Sequence, residues 1–464
     1  MKKILIIAYY FPPIHASGVY RPLKFAKYLR GFGWEPLILT IDAVCGHGKD
    51  PGLLRDLPAD LKIERTSQWD FYRLVELIKK LERRVNKENQ PPESKAFTAA
   101  SAEKAAPGKL SKSALSRLKS QLPVFIRDLF FVPDDSIPWL PVAVKAATKI
   151  IRQEKVDVVM TTSPPQSAHL VGLLTKMMTG TPWVVDFRDL WMDTFDFYDK
   201  AFGKWRKPLE AWMERKVIAQ ADRIINISHG ESEHLQAQYS TQPVGKFHVI
   251  HNGYDRQDFS DKQKLSWNIN EKTLNEKKLI VTYVGTLYPT TGDEFFGVLD
   301  RMFRERPWLT REFEFRFVGH IAPEYLTVFD TSAFRKCIRM YGLRPHAGAL
   351  RAMTESDVLL LLQGGGKMNA GEIPGKVFEY MAANLPVLAV AWPGDVAAIL
   401  QESGLGYVVA PNDEMGIENS LVELFELKKS RKQYVYPNKE YIEGFEREKL
   451  TGKLAAMLDE MVEA

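Results

Sequence analysis

Lys376 and Glu379 lie three residues apart in GEIPGKVFEYMAANLPVL, residues 371 to 388. On a helix that spacing puts both side chains on one face, while Phe378 and Ala382 form a separate apolar stripe. A cation in the first turn, where the backbone N–H groups are also unpaired, suits a diphosphate; a carboxylate one turn later suits ribose hydroxyls. An ordinary surface ion pair has the same spacing, so its neighbourhood must decide. A second cluster is DFRDLW, 186 to 191, where the Arg188 guanidinium could make a forked contact to a phosphate or to an acceptor, oriented by Asp186 and Asp189. A buried ion pair at a strand end is the alternative. Gly18, in a loop following an apolar run, lets backbone approach a ligand closely because it has no Cβ, although a plain strand-to-helix turn would also use it.

The elements that must position these residues alternate. Ile4 to Ala8 reads as a buried strand, followed by a loop from Tyr9 to Gly18, a helix from about Val19 to Arg30 stopping at Gly31, and a strand at Leu37 to Ile41. The pattern resumes with strands at Val156 to Thr161, Trp183 to Asp186 and Arg223 to Ile227, separated by helices at about Gln166 to Met178 and Lys207 to Ala219. A polar stretch, 255 to 277, reads as a linker. Beyond it come strands at Leu279 to Val284, Glu314 to Val318, Asp357 to Leu362 and Pro386 to Val390. Helices are expected at Asp293 to Phe303 and Pro374 to Ala383, the latter with Pro at its first turn and Asn384 just past its end. Glu440 to Met461 reads as helical throughout. Strand-helix alternation predicts an α/β protein with two doubly wound parallel sheets.

A length of 464 residues exceeds one hydrophobic core, and 45% hydrophobic with 26% charged residues is ordinary for globular proteins. The domains expected are 1 to 262, with a helix at about 446 to 464 packing back on it, and 270 to 440. Cys45 and Cys337 are far apart, which fits a reducing cytosol. The apolar run after Lys2 and Lys3 is too short for a signal peptide and ends at Pro12-Pro13, and no stretch approaches the roughly 20 apolar residues of a membrane span. The net charge of +5 is localised: residues 71 to 127 hold 13 Lys/Arg against 5 Asp/Glu, leaving 50 against 53 elsewhere. Helical periodicity from Phe71 to Val85 and at Leu115, Leu118 and Leu122 brackets a Pro/Ala/Lys/Ser-rich stretch, 86 to 109. This basic segment is the candidate contact to an anionic membrane, at the inner face of the cytoplasmic membrane; a solvated insertion is the other reading. Nucleic acid is not expected as a partner, because few aromatics accompany the charge.

The passage at 371 to 388 resembles the donor-site motif of family-4-type GT-B glycosyltransferases, Pro-x-Lys-x-x-Glu-Tyr-x-Ala-x-x-x-Pro-Val. Phe11-Pro12-Pro13 through Ser17-Gly18 resembles that family's N-terminal glycine loop, DFRDLW its cleft motif, HNGYD (251 to 255) its interdomain Asn-Gly-x-Asp, and VGTLYPTTG (284 to 292) its opening C-domain strand and loop. The resemblance implies two Rossmann-like domains with a cleft between them, and transfer of a sugar from a nucleotide-diphosphate donor, with retention of configuration, to a glycan or lipid-linked acceptor. It implies Gly18, Gly285, Thr286, Glu372, Ile373, Pro374, Gly375, Lys376, Val377 and Glu379 at the donor, Glu379 on the ribose and Glu372 near the sugar. It also implies His15, Ser17 and Arg21 on the acceptor side, and Arg188, Asp186, Asp189 and Lys376 in catalysis.

This sequence departs from that family in two places. Relatives carry Arg and Lys in the loop where Thr286 and Thr291 stand, and the carboxylates Glu372 and Glu379 are separated by six residues instead of seven. Charge stabilisation therefore falls on Lys376, Arg188 and backbone N–H groups. No two aspartates are separated by a single residue and the nine histidines form no metal-ligand pattern, so no metal or cofactor is expected beyond the nucleotide sugar as co-substrate. A nucleotide-sugar epimerase and a non-catalytic nucleotide-sugar-binding subunit remain alternatives. An NAD enzyme does not, because no G-x-G-x-x-G follows the first strand.

Overall fold

The computed structural model describes residues 1–14, 16–42, 48–68, 131–193, 205–260, 278–364, 373–432 and 435–463. The basic segment 71–127 with its expected helices, His15 and Glu372 lie outside the described residues. Contacts divide the chain into two compact units: Lys2–Pro22 with Pro36–Asp222, and Leu23–Glu35 with Arg223–Ala464 and Met1.

The strands form two sheets. The first contains β1 (Lys2–Ala8), β2 (Trp34–Ile41), β3 (Lys62–Thr66), β4 (Val158–Thr162), β5 (Trp183–Phe187), β6 (Arg223–Asn226) and β7 (Phe247–Val249), in the order β3-β2-β1-β4-β5-β6-β7. The second contains β8 (Leu279–Val284), β9 (Phe313–Val318), β10 (Ile338–Gly342), β11 (Val358–Leu362), β12 (Val387–Val390) and β13 (Gly406–Val409), in the order β10-β9-β8-β11-β12-β13. Pairing is parallel, from Ile4↔Val158 to Ala8↔Thr162 in the first sheet and from Leu279↔Phe313 to Val284↔Val318 in the second. Both orders contain the doubly wound 3-2-1-4-5-6 arrangement. The direction of winding reverses between β1 and β4 in one sheet and between β8 and β11 in the other, and ligands of such sheets bind beyond the carboxyl ends of the strands at that reversal.

Burial explains which strands are readable. β1, β4, β5, β8, β11 and β12 are predominantly apolar and mostly buried on both faces, as central parallel strands require. The four strands that the pattern did not predict, β3, β7, β10 and β13, are the four sheet edges. They mix charged or polar residues into short segments, as in Lys62–Thr66 (KIERT), because one side of an edge strand meets no partner. In β9, FEFRFV, alternation sends Phe313, Phe315 and Phe317 into a core shared with Phe295, Phe296 and Phe303 of the helix Asp293–Glu305.

Three local expectations are corrected. After a 3-10 turn at Ser17–Val19, the first helix runs Tyr20–Tyr28 and tightens into a 3-10 turn at Leu29–Phe32; Gly33, at φ 83°, ends it where Gly31 was expected to. The helix expected from Pro374 begins at Lys376, with Pro374 and Gly375 forming the turn before it: the Pro374 carbonyl accepts from the Val377 N–H at 3.0 Å. The C-terminal segment is two helices, Lys439–Glu443 and Arg447–Glu463. The break is held by backbone bonds: Tyr254 N–H donates to Phe445 O at 3.1 Å, and Arg447 N–H donates to Tyr254 O at 2.8 Å. Gly253 permits this contact, since a Cβ there would lie 2.2 Å from Phe445 O.

Candidate active site

At the reversal point of the six-stranded sheet, β8 is followed by Gly285 at φ 125°, and neighbouring β9 by Gly319 at φ 135°. These conformations suit glycine alone, and the two backbones touch: a Cβ on Gly319 would stand 2.1 Å from Gly285 O. The helix Lys376–Ala383 starts beside them and ends at Asn384 in the left-handed conformation, as the sequence predicts. Tyr380 locks this helix onto the sheet. Its hydroxyl accepts from Val284 N–H at 3.0 Å and donates to Leu360 O at 3.2 Å, bridging β8 and β11.

Lys376 reaches toward Gly285, its Nζ 3.6 Å from where a Cβ on that glycine would be. It also lies 3.9 Å from the centroid of the Tyr283 ring. Among the described residues no carboxylate pairs with it. Burial without a counter-charge pushes its pKa down to about 7. Glu379, one turn on, accepts from His346 Nε2 at 2.9 Å through Oε1, and both side chains are about a quarter exposed. Ile373 and Val377 are buried in the core behind the site, Pro374 is half-buried, and Gly375 is exposed with nothing near its missing Cβ. Thr286 supplies its carbonyl to the Tyr283 hydroxyl at 2.8 Å, and Thr291 packs against Gly364. Thus Gly285, Thr286, Lys376 and Glu379 converge on one edge of this sheet, with Ile373 and Val377 as their supports.

The reversal point of the seven-stranded sheet has a different character. Asp186, at the end of β5, is fully buried and takes a forked contact from buried Arg21, Nη2 at 2.8 Å and Nε at 3.0 Å, plus the Thr162 hydroxyl at 2.8 Å. Arg21 is therefore an interior ion-pair partner of Asp186. Arg188 donates through Nε to the Ser163 carbonyl and through Nη2 to the Pro164 carbonyl at 3.2 Å, both just past β4. Burial draws Arg188 below the ordinary arginine range, with Asp189 and Asp186 opposing. Its guanidinium lies against Gly18, where a Cβ would be 2.7 Å from Nη2. Asp189 is exposed, and Ser17 opens the 3-10 turn that carries Gly18. Gly18, Arg188, Asp186 and Arg21 thus form one cluster, with Asp189 at its surface.

His346, Tyr283 and Tyr380 were not singled out from sequence. Tyr380 belongs to the Glu-Tyr step of the motif, so it was within reach. His346 lies 33 positions before Glu379, and only the packing of two helices brings them together.

Comparison with known proteins follows this geometry. Residues 110–253, which include DFRDLW and His251-Asn252-Gly253, match the family model described as glycosyl transferase 4-like domain. A probable glycosyltransferase, WbjE of Pseudomonas aeruginosa, is 32% identical over 91 residues, which cover 19% of this chain and 22% of WbjE. Among solved structures, HepE of Anabaena in complex with UDP-glucose superposes with a TM-score of 0.60 at 14% identity, covering 99% of this chain and 100% of HepE. A glycosyltransferase from Rickettsia africae gives 0.57 at 14%, covering 99% and 98%. WaaG, a glycosyltransferase involved in lipopolysaccharide biosynthesis, gives 0.52 at 14%, also covering 99% and 98%. No described helix is long and apolar enough to cross a membrane. Residues 110–253 are thus similar to the glycosyl transferase 4-like domain, and the chain as a whole shares the GT-B fold of these structures, with its two Rossmann-like sheets.

Proposed function

We propose that this chain transfers a sugar from a nucleoside-diphosphate sugar to an acceptor hydroxyl, without a metal ion and with retention of configuration. One observation carries the reading: Lys376, a cation with no carboxylate partner among the described residues, stands at the reversal point of a Rossmann-like sheet, beside left-handed Gly285 and one turn before Glu379. A lysine in this setting gains a counter-charge when a diphosphate arrives. The donor's leaving group is that diphosphate, and its negative charge grows as the glycosidic bond breaks. A fixed cation therefore stabilises the transition state more than the ground state.

Glu379 is suited to the ribose, and the exposed start of its helix at Gly375 leaves room for phosphate oxygens near backbone N–H groups. Proton transfer from the acceptor to the departing phosphate oxygen would leave positioning as the protein's main task, which is why no general base is assigned. Arg188 beside Gly18 is the candidate for contacts on the acceptor side. The relatives supply the order of trials: HepE was crystallised with UDP-glucose, and WaaG is described in lipopolysaccharide biosynthesis, so UDP-sugars and cell-surface glycan or glycolipid acceptors come first.

Thermal unfolding against UDP, GDP, ADP, CMP and NAD tests the reading. A ligand at 100 times its dissociation constant stabilises by about 2.7 kcal/mol, which raises the midpoint by several degrees. One nucleoside diphosphate should do so, and its sugar conjugate should turn over to release it. A shift with NAD alone, or with none of the five, contradicts the proposal.

A further inference from the structure

We propose that His346 is a positioning residue for nucleotide recognition: it holds one oxygen of the Glu379 carboxylate so that the other is presented to the ribose hydroxyls. This inference rests on the donor-site reading above.

The geometry divides the carboxylate between two tasks. His346 Nε2 occupies Oε1 at 2.9 Å, and Oε2 has no hydrogen-bond partner among the described residues. Glutamate in a partly open site would otherwise spread over several rotamers, and a ligand would have to supply the cost of fixing one of them. A fixed donor on Oε1 removes that cost before the nucleotide arrives.

The imidazole is itself held firmly. His346 is the first residue of the helix His346–Thr354, entered through Pro345, whose ring limits the approach of the chain. The short helix Arg256–Ser260 packs against both the helix carrying His346 and the one carrying Glu379. That short helix is anchored in turn. Lys24 Nζ donates to Asp255 Oδ2 at 2.7 Å and to Asp258 Oδ2 at 3.2 Å, Lys27 Nζ reaches Asp255 Oδ2 at 2.7 Å, and the Tyr28 hydroxyl reaches Asp255 Oδ1 at 2.9 Å. The charges that His346 feels are consistent with a clamp. Burial works against its protonation, but the Glu379 carboxylate outweighs that, Asp258 adds to it and Lys24 subtracts, leaving its pKa above the ordinary histidine value.

The test compares binding of UDP, GDP and ADP with their 2′-deoxy counterparts, by calorimetry on the full chain, in wild type, His346→Phe and His346→Gln. Phenylalanine keeps much of the ring's bulk without a donor, and glutamine restores a donor. Wild type should prefer the ribonucleotide by about tenfold or more, as expected for a hydroxyl on a charged acceptor. His346→Phe should shrink that ratio toward one with an unchanged unfolding midpoint, and His346→Gln should recover most of it. Binding in wild type with the same ribose preference in His346→Phe overturns the role of His346 alone. Absence of any diphosphate binding by wild type overturns the donor-site reading and this inference together.

Discussion

The two sheets share a winding order, yet their reversal points are finished differently. In the seven-stranded sheet the polar groups satisfy one another: Arg21 and Thr162 saturate Asp186, two carbonyls past β4 take up Arg188, and the missing Cβ of Gly18 is filled by that guanidinium. In the six-stranded sheet Lys376 faces an aromatic ring instead of an acid, and one oxygen of Glu379 is left over. A buried ion pair gains little net stability over an apolar replacement, but removing one member is expensive, so the first arrangement behaves as scaffold. An uncompensated cation costs stability in the empty protein, a cost that a bound anion would offset, as the proposed donor site requires. The same topology thus carries a satisfied polar frame at one reversal point and, at the other, the unpaired groups on which the proposed donor site rests.

Substitutions can separate frame from receptor. The largest effect expected is from Asp186→Ala, which removes the carboxylate that takes the forked contact of the buried Arg21 guanidinium; about 3–5 kcal/mol of stability should be lost, measured by denaturant unfolding. A loss under 1 kcal/mol would remove Asp186 from the frame. Gly319→Ala forces a side chain into a left-handed position and against Gly285 O, and should cost about 1–3 kcal/mol in the same assay. It tests whether the glycine pair is required by the fold before any ligand arrives.

The pH dependence is smaller and more specific. Because the folded-state pKa of Lys376 is lowered to about 7, the unfolded chain holds this proton more tightly from about pH 7 up to the ordinary lysine value. Stability from this group is therefore lowest below pH 7 and rises with pH through that window. Diphosphate affinity should move the opposite way, falling by up to about tenfold per pH unit above 7 as the cation is lost, with Lys376→Arg flattening the slope. A profile flat from pH 7 to 9 in wild type would show that Lys376 is not the group bound by phosphate.

Much of this was legible in the sequence, for reasons that also mark the limits. β8 falls where its apolar run predicts, residue for residue, because a central parallel strand is buried on both faces and contains little else. The helix Lys376–Ala383, its Lys-Glu face and its left-handed Asn384 cap follow from local rules acting within one turn. Edge strands β3, β7, β10 and β13 escaped because each is only three to five residues long, and β3 and β10 also carry exposed charged residues. The C-terminal helix looked continuous because its break comes from backbone bonds to Tyr254, almost 200 positions away, and leaves no local mark except Gly444. Arg21 was expected on the acceptor side, and its pairing with Asp186, 165 positions distant, places it in the interior. His346 was missed for the same reason: its partner is set by packing, not by spacing.

The central claim is that Lys376 serves a bound anion and not the fold, and the direct measurement is one variant read two ways. Lys376→Met keeps the apolar stem and removes the charge. Titration with the nucleoside diphosphate that stabilises wild type, alongside thermal unfolding of the empty protein, gives both quantities from one preparation. The account predicts affinity reduced by about ten- to a hundredfold, as for a lost charge-assisted contact, with an unfolding midpoint equal to or above that of wild type. Unchanged affinity with a lowered midpoint would make Lys376 a structural residue and contradict the account.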